Sequence, residues 1–309
     1  MQEEVHKSPA VPYAELKALS EPSDAAGLKQ LAKHGAVIAA TTALIWLARD
    51  SLWLLLPALL LQGVALTFLF APLHETIHST AFRSKALNDS VAWIAGALLL
   101  LPPVYFRYFH FAHHRHTQVE GRDPELATAK PTTWRRYLIH ISGLFYWTGN
   151  AQALLAHAGG RVEEDFIPKG RRSEVVTEAR ILLAIYGAII GLSVGFATPA
   201  ALIYWVMPML LGQPFLRLYL LAEHGGCPKV RDMLANTRTT KTTALVRFLA
   251  WNMPYHTEHH VYPAVPFHRL PEAHDLLKDK LKVVSPGYIA VQKEIVSGFG
   301  ASQATEQSA

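Results

Sequence analysis

Thiols are almost absent. The single cysteine, Cys227, excludes an internal disulfide and any metal site built on several thiolates, and reads as a free buried or interfacial thiol. Charge is scarce where the chain is most apolar. From Ala36 to Phe70 only Arg49 and Asp50 are charged, and from Ile181 to Leu221 only Arg217. There is no glycine-rich nucleotide loop, no CxxC pair, no fused haem-binding segment, no internal repeat and no low-complexity tract. These absences exclude a dinucleotide fold and a built-in electron carrier. With no base-reading motif or basic helix, the net charge of +5 reads as membrane orientation and contact with anionic headgroups, not nucleic-acid binding.

What is present is oil in long blocks. Half of the 309 residues are apolar, and each block is too long for one membrane helix of about 20 residues but right for a pair. The division predicts spans at about 31–48, 52–73, 181–197 and 200–221, arranged as two helical hairpins. Most Lys and Arg lie outside the two hairpin turns, which by the positive-inside rule makes the charged parts cytoplasmic. The expected fold is an all-α integral membrane protein. Its cytoplasmic N-terminal arm covers 1–30 and its membrane domain 31–285, with a helical cap from 74–180 and 222–285. A C-terminal helix end and disordered tail fill 286–309. Residues 1–30 lack the apolar stretch of a signal peptide, so the first span is expected to enter the membrane itself.

Two apolar segments fit no span. Val91 to Leu101 is short and ends in Pro102 and Pro103, which suits an interfacial or re-entrant helix. Tyr137 to Ala156 is long enough to span but carries His140, Asn150 and Gln152, and reads as a single amphipathic or interfacial helix. Pro266 to Lys282 reads as a short cytoplasmic helix.

Ten of the sixteen histidines fall in four small places. "HETIH" gives His74 and His78 at the end of the second span, where i,i+4 spacing stacks both rings on one helix face. "HFAHHRH" gives His110, His113, His114 and His116. "HTEHH" gives His256, His259 and His260. The fourth place is His224 in "LAEHGG", at the end of the last span. The expected pairing is i,i+3, with His110 beside His113 and His256 beside His259, while His114 and His260 turn about 100° further round toward a second ion. His116 lies one residue past its box and is not counted as a ligand. His6, His34, His140, His157, His268 and His274 are isolated and read as ordinary hydrogen-bonded residues.

Four spans let all nine box histidines meet on one side of the membrane. If Val91 to Leu101 crossed alone, the first two boxes would be separated. Neutral imidazole suits zinc, copper, iron and nickel. Nine ligands exceed one ion and match two, and iron is favoured because an all-histidine pair with open positions can activate dioxygen, which zinc cannot. Glu75 and Glu258 inside boxes, Glu223 before His224, and Asn252 one turn before His256 are candidates to orient the rings.

"HETIH", "HFAHHRHT", the following "RDPEL" and "NMPYHTEHHVYPAVPFHRLP" resemble the histidine boxes of the membrane fatty acid desaturase and hydroxylase superfamily, over residues 30 to 285. The resemblance implies a non-haem di-iron oxidoreductase that uses dioxygen and two externally supplied electrons. It carries ligand roles onto His74, His78, His110, His113, His114, His224, His256, His259 and His260. Some relatives place an Asn one turn before the last-span histidine; here Leu220 stands there, and Asn252 is the available substitute. An unactivated methylene has no acidic proton, so its oxidation needs an iron-derived oxidant. The expected substrate is a membrane lipid or fatty acyl chain. Its tail would run past Val91 to Leu101 and "VYFRYFHF", although those aromatics fit an interfacial belt equally well. The expected donor is a separate carrier such as a ferredoxin, docked on the basic face. A hydroxylase or ketolase of a fatty acyl, sphingolipid or carotenoid substrate is the nearest alternative. A divalent-metal transport or storage protein is a distant one, because the spans are nearly free of ionisable residues.

Overall fold

A computed structural model describes residues 11–299; the expectations for the first ten residues and for the tail from 300 onward lie outside them. The described residues are mostly helical. In order come α1 (Tyr13–Leu19), α2 (Asp24–Ala48), α3 (Leu52–Thr67), α4 (Phe70–His78), α5 (Lys85–Leu99), α6 (Pro103–His116), α7 (Trp134–Ile141) and α8 (Leu144–Ala158). There follow α9 (Arg172–Gly195), α10 (Met207–His224), α11 (Met233–Asn236), α12 (Ala244–Leu249), α13 (His256–Val261), α14 (Leu270–Leu277) and α15 (Tyr288–Ser297). Two-residue strands β1 (Thr239–Thr240) and β2 (Val284–Ser285) pair in parallel.

Four helical stretches among the described residues are long and apolar enough to cross a membrane: Asp24–Ala48, Leu52–His78, Lys169–Gly195 and Leu202–His224. All four begin or end beyond the apolar blocks, because helical hydrogen bonding continues into polar sequence that hydropathy leaves out. Ser23 shows this at the start of α2, where its Oγ accepts from Ala26 N at 3.3 Å as an N-cap. Their outward faces expose large apolar side chains such as Trp46, Leu47, Trp53, Ile190 and Phe196, as a lipid-facing surface requires.

Close approach of α3 and α10 rests on two glycines. A β-carbon on Gly63 would lie 2.1 Å from the Pro208 carbonyl oxygen, and one on Gly212 would lie 2.1 Å from that of Gly63. Small residues let helix backbones touch where apolar burial alone offers no drive. Polar ties join α2 to α3. His34 Nε2 donates to the Ala65 carbonyl at 2.8 Å, and the Gln62 amide donates to Thr42 at 3.1 Å and accepts from Thr41.

The helix expected from Val91 forms as α5, and α6 leaves it at 94°. A break at this depth leaves helix-end groups without intrahelical partners, and neighbouring helices supply them. Tyr186 Oη donates to the Ala97 carbonyl at 2.7 Å, Trp205 Nε1 to Leu98 at 2.8 Å, and Tyr146 Oη to Leu99. On the far side of the bend, Glu178 accepts from Val104 N at 2.6 Å and Tyr105 N at 3.0 Å. Consecutive helix-end carbonyls and amides thus take partners from α8, α9 and the start of the last long helix.

The single helix expected over Tyr137 to Ala156 is instead two, α7 and α8. Gly143 separates them in the left-handed region at φ 75°, with Gln213 packed so closely that a β-carbon would meet its side chain at 2.3 Å. Likewise Pro266 to Lys282 forms a 3-10 turn at Phe267–Arg269 and then α14, which ends at Leu277. Buried Arg238, just before β1, ties that segment to the end of α10: its guanidinium donates to the Ala222 and Gly225 carbonyls at 2.7 and 2.6 Å.

Candidate metal centre and the cavity beside it

All nine box histidines converge, and they sort into two groups. His74, His78, His110, His114 and His259 bring ring nitrogens within 4.8 Å of one another, and His113, His224 and His260 do the same. His256 joins the second group, with its Nε2 3.1 Å from those of both His224 and His260. The expected i,i+3 pairing is therefore replaced by i,i+4: His110 goes with His114 and His256 with His260, while His113 and His259 serve the opposite groups. Residues four apart on an α-helix differ by only about 40° in azimuth and those three apart by about 60°, so i,i+4 brings two rings closer to one point. His116 lies in neither group.

Tautomers are set from behind. His113 Nδ1 donates to Asp123 Oδ1 at 2.9 Å, and Asp123 Oδ2 accepts from Gln118 N at 2.8 Å. His224 Nδ1 donates to the Asn236 carbonyl at 3.1 Å. With both rings neutral, their Nε2 lone pairs would face each other at 3.2 Å. Two lone pairs at that distance repel, so a proton or a metal cation belongs between them. Burial pulls His113 down, but the carboxylates of Glu125 and Asp123 more than offset it and raise the ring above the usual value. Elsewhere the balance is opposite. Burial, reinforced by neighbouring rings, holds His256, His259 and His260 well below the usual 6.5. Those rings are neutral near pH 7 and offer lone pairs. Both ring nitrogens of His74, Nε2 of His78 and Nδ1 of His259 are buried with no hydrogen-bond partner. Buried polar atoms are rarely left so, and an all-nitrogen donor set of this kind fits a transition metal.

Of the four candidate orienting residues, Glu75, Glu258 and Asn252 make hydrogen bonds outside the box rings. Glu75 Oε2 accepts from Thr80 Oγ1 and Phe267 N, tying the first box to the loop after the third. Glu258 accepts from Thr239 Oγ1 at 2.6 Å and from His274, so its ring partner is an isolated histidine. Asn252 lies in a left-handed turn with Trp251, at φ 58° and 47°, and its amide donates to the Phe267 carbonyl. That turn breaks the helical continuity needed to place it over His256, and it does not substitute for the apolar Leu220. Glu223 Oε1 does approach a box ring, at 3.4 Å from His256 Nδ1. Asp123, Asn236 and Thr117, whose Oγ1 is 3.3 Å from His260 Nδ1, were not legible as orienting groups. For Asp123 the available signal was its place in "RDPEL" just past the second box.

A cavity of about 390 Å³ opens beside the rings, lined by His74, His110, His113 and His256 and by Phe70, Leu101, Phe106, Asn150, Arg217 and Leu220 among others. A second cavity, about 450 Å³ and nearly all apolar, lies between α9 and the last long helix, with Leu98, Leu100 and Trp147 in its wall.

The chain matches the fatty acid desaturase family over residues 51–291. It belongs to that family. By family it is an oxidoreductase. Among curated relatives, an sn-1 oleoyl-lipid 12-desaturase of Synechocystis is 27% identical over 70% of this chain and 66% of the relative. A dihydrorhizobitoxine desaturase of Bradyrhizobium elkanii is 27% identical over 89% of this chain and 81% of the relative. A sphingolipid delta(4)-desaturase/C4-monooxygenase of Mus musculus is 26% identical over 73% and 67%. These relatives differ in their named substrates, and one is named a monooxygenase as well.

Proposed function

We propose that this desaturase-family chain introduces a double bond into an acyl chain of a membrane lipid or fatty acid, using dioxygen and two iron ions. The observation that carries the reading is the pair of imidazole groups sharing boxes on α6 and α13. His74, His78, His110, His114 and His259 would hold one iron; His113, His224, His256 and His260 would hold the other. Iron held there would supply the redox activation of dioxygen that an unactivated methylene requires. The chain's own residues do the rest. Asp123 and the Asn236 carbonyl hold two rings in the ligating tautomer. Phe70, Leu101 and Phe106 line the cavity against the rings and keep water from a chain lying there.

In this reading the long apolar stretches cross the membrane as two hairpins, with the cap and site on the cytoplasmic side. The sparsely charged turns at Arg49–Asp50 and Thr198–Pro199 support that orientation. A separate electron donor such as a ferredoxin would dock on the basic cap. Lipid profiling of a host with and without expression, beside a His259→Ala control, tests the proposal. An unchanged profile, or one the control reproduces, sinks it. Labelled dioxygen separates desaturation from hydroxylation or ketolation, because only oxygenated product keeps the label.

A further inference from the structure

The cavity beside the rings is not a plain hydrocarbon slot. Arg217 lines it from α10, seven residues before His224. That offset is two helical turns, so the two residues share a face roughly 10 Å apart along the axis. A cation at such a position in a long apolar helix is expensive to maintain and marks a functional site. Its guanidinium lies 4.6 Å from the Tyr146 ring centroid, and its Nε is buried with no hydrogen-bond partner, as is Nδ2 of Asn150 in the same wall.

Two carboxylates share the cavity and act on Arg217 through space, while each has a partner of its own within 4.0 Å. Glu125 lies 3.8 Å from Lys130 Nζ, and Glu223 lies 3.4 Å from His256 Nδ1. Among the described residues no carboxylate stands within 4.0 Å of Arg217. Arginine presents its donors as a planar fork that matches a carboxylate in two parallel hydrogen bonds. A volume of about 390 Å³ accommodates a single chain at the small end of ligand sites.

We infer that the cavity takes a single-chain molecule with a free terminal carboxylate, and that Arg217, with Asn150 beside it, is the residue that selects it. The inference rests on the desaturase reading and narrows its substrate class from membrane lipid or fatty acid to the free acid. Arg217 is a specificity determinant here, not a participant in hydrogen removal.

The test is binding, with no turnover required. Protein in lipid nanodiscs is titrated with radiolabelled decanoate, methyl decanoate and 1-decanol, with empty nanodiscs as blank. Decanoate is expected to bind at least about tenfold tighter than the two neutral probes, the scale of a hydrogen bond to a charged group. Arg217→Gln is expected to remove the preference, and Arg217→Lys to keep part of it. Equal binding of all three probes to the wild type, no binding of decanoate, or an undiminished preference in Arg217→Gln would each overturn the inference. If Arg217→Gln does not fold, the wild-type comparison and Arg217→Lys decide it. A preference for decanoate without any oxidised product in expressing cells would count against the desaturase reading and leave this one standing.

Discussion

Asp123 Oδ1 lies 2.9 Å from Nδ1 of His113, with both side chains buried. The carboxylate sits in a loop that is neither helix nor strand, yet it determines which nitrogen of His113 points at His224. Partners behind ligating rings typically change metal affinity about 10- to 100-fold. Asp123→Asn keeps an acceptor but removes the charge, so metal should be lost to a chelator at correspondingly lower concentration. The melting temperature of metal-free protein should move little. An unchanged chelator midpoint would remove Asp123 from this role.

The two imidazole groups should fail separately. Under the two-iron reading, His259→Ala strips a ligand from one group and His260→Ala from the other. Each should lower iron from about two per chain toward one and abolish product, with distinct Mössbauer spectra for the ion that remains. His116→Ala should retain full iron and activity. Equal loss of both ions in both variants would show a single coupled site instead.

Metal-free protein should be acid-labile from pH 6.5 downward. Burial holds His256, His259 and His260 below the unfolded value of 6.5. The unfolded chain therefore binds more protons than the folded one throughout that interval, and stability rises with pH across it. Each ring's contribution is complete above pH 6.5 and is lost as pH falls through the folded value. Chelator-treated protein melted in detergent at pH 7.5, 6.5 and 5.5 should lose stability chiefly in the last step. A flat profile would mean the rings are protonated or solvated in the fold.

Helix contact at Gly63 gives a prediction independent of chemistry. Gly63→Ala and Gly212→Ala each drive a methyl into opposing backbone at 2.1 Å, whereas Gly35 has nothing within 4 Å of its absent β-carbon. The first two should destabilise by about 1–3 kcal/mol or more, and Gly35→Ala should be neutral or slightly stabilising in its helix. Thermal melts of the three variants in one detergent compare them directly.

Histidine spacing and hydropathy carried much of this architecture on their face. The boxes could be read because a repeated pattern of one rare residue type survives any uncertainty about loops. Long apolar blocks could be read because lipid imposes a length. What escaped reading was set by tertiary contacts. The left-handed turn at Trp251–Asn252 removed Asn252 from its assumed helix, and the left-handed Gly143, beside Gln213, split one expected helix into two. Glu75 and Glu258 were chosen for adjacency to ligands in sequence, but their hydrogen bonds run to Phe267 and His274, close only once the cap has closed. Asp123, found instead, needed the loop after α6 to turn back onto it.

Three aromatic donors on the carbonyls of Ala97, Leu98 and Leu99 do more than satisfy a broken helix. Leu98 and Leu100 face the apolar cavity between α9 and the last long helix, and Leu101 faces the one beside the rings. The pinned elbow is therefore a bulkhead between two compartments, and under the desaturase reading it would limit how far a chain can extend. Trp205→Phe removes one pin and keeps the ring. Opening the bulkhead in this way should let longer chains reach the imidazoles, seen as a shift in product chain length with no change in bound metal.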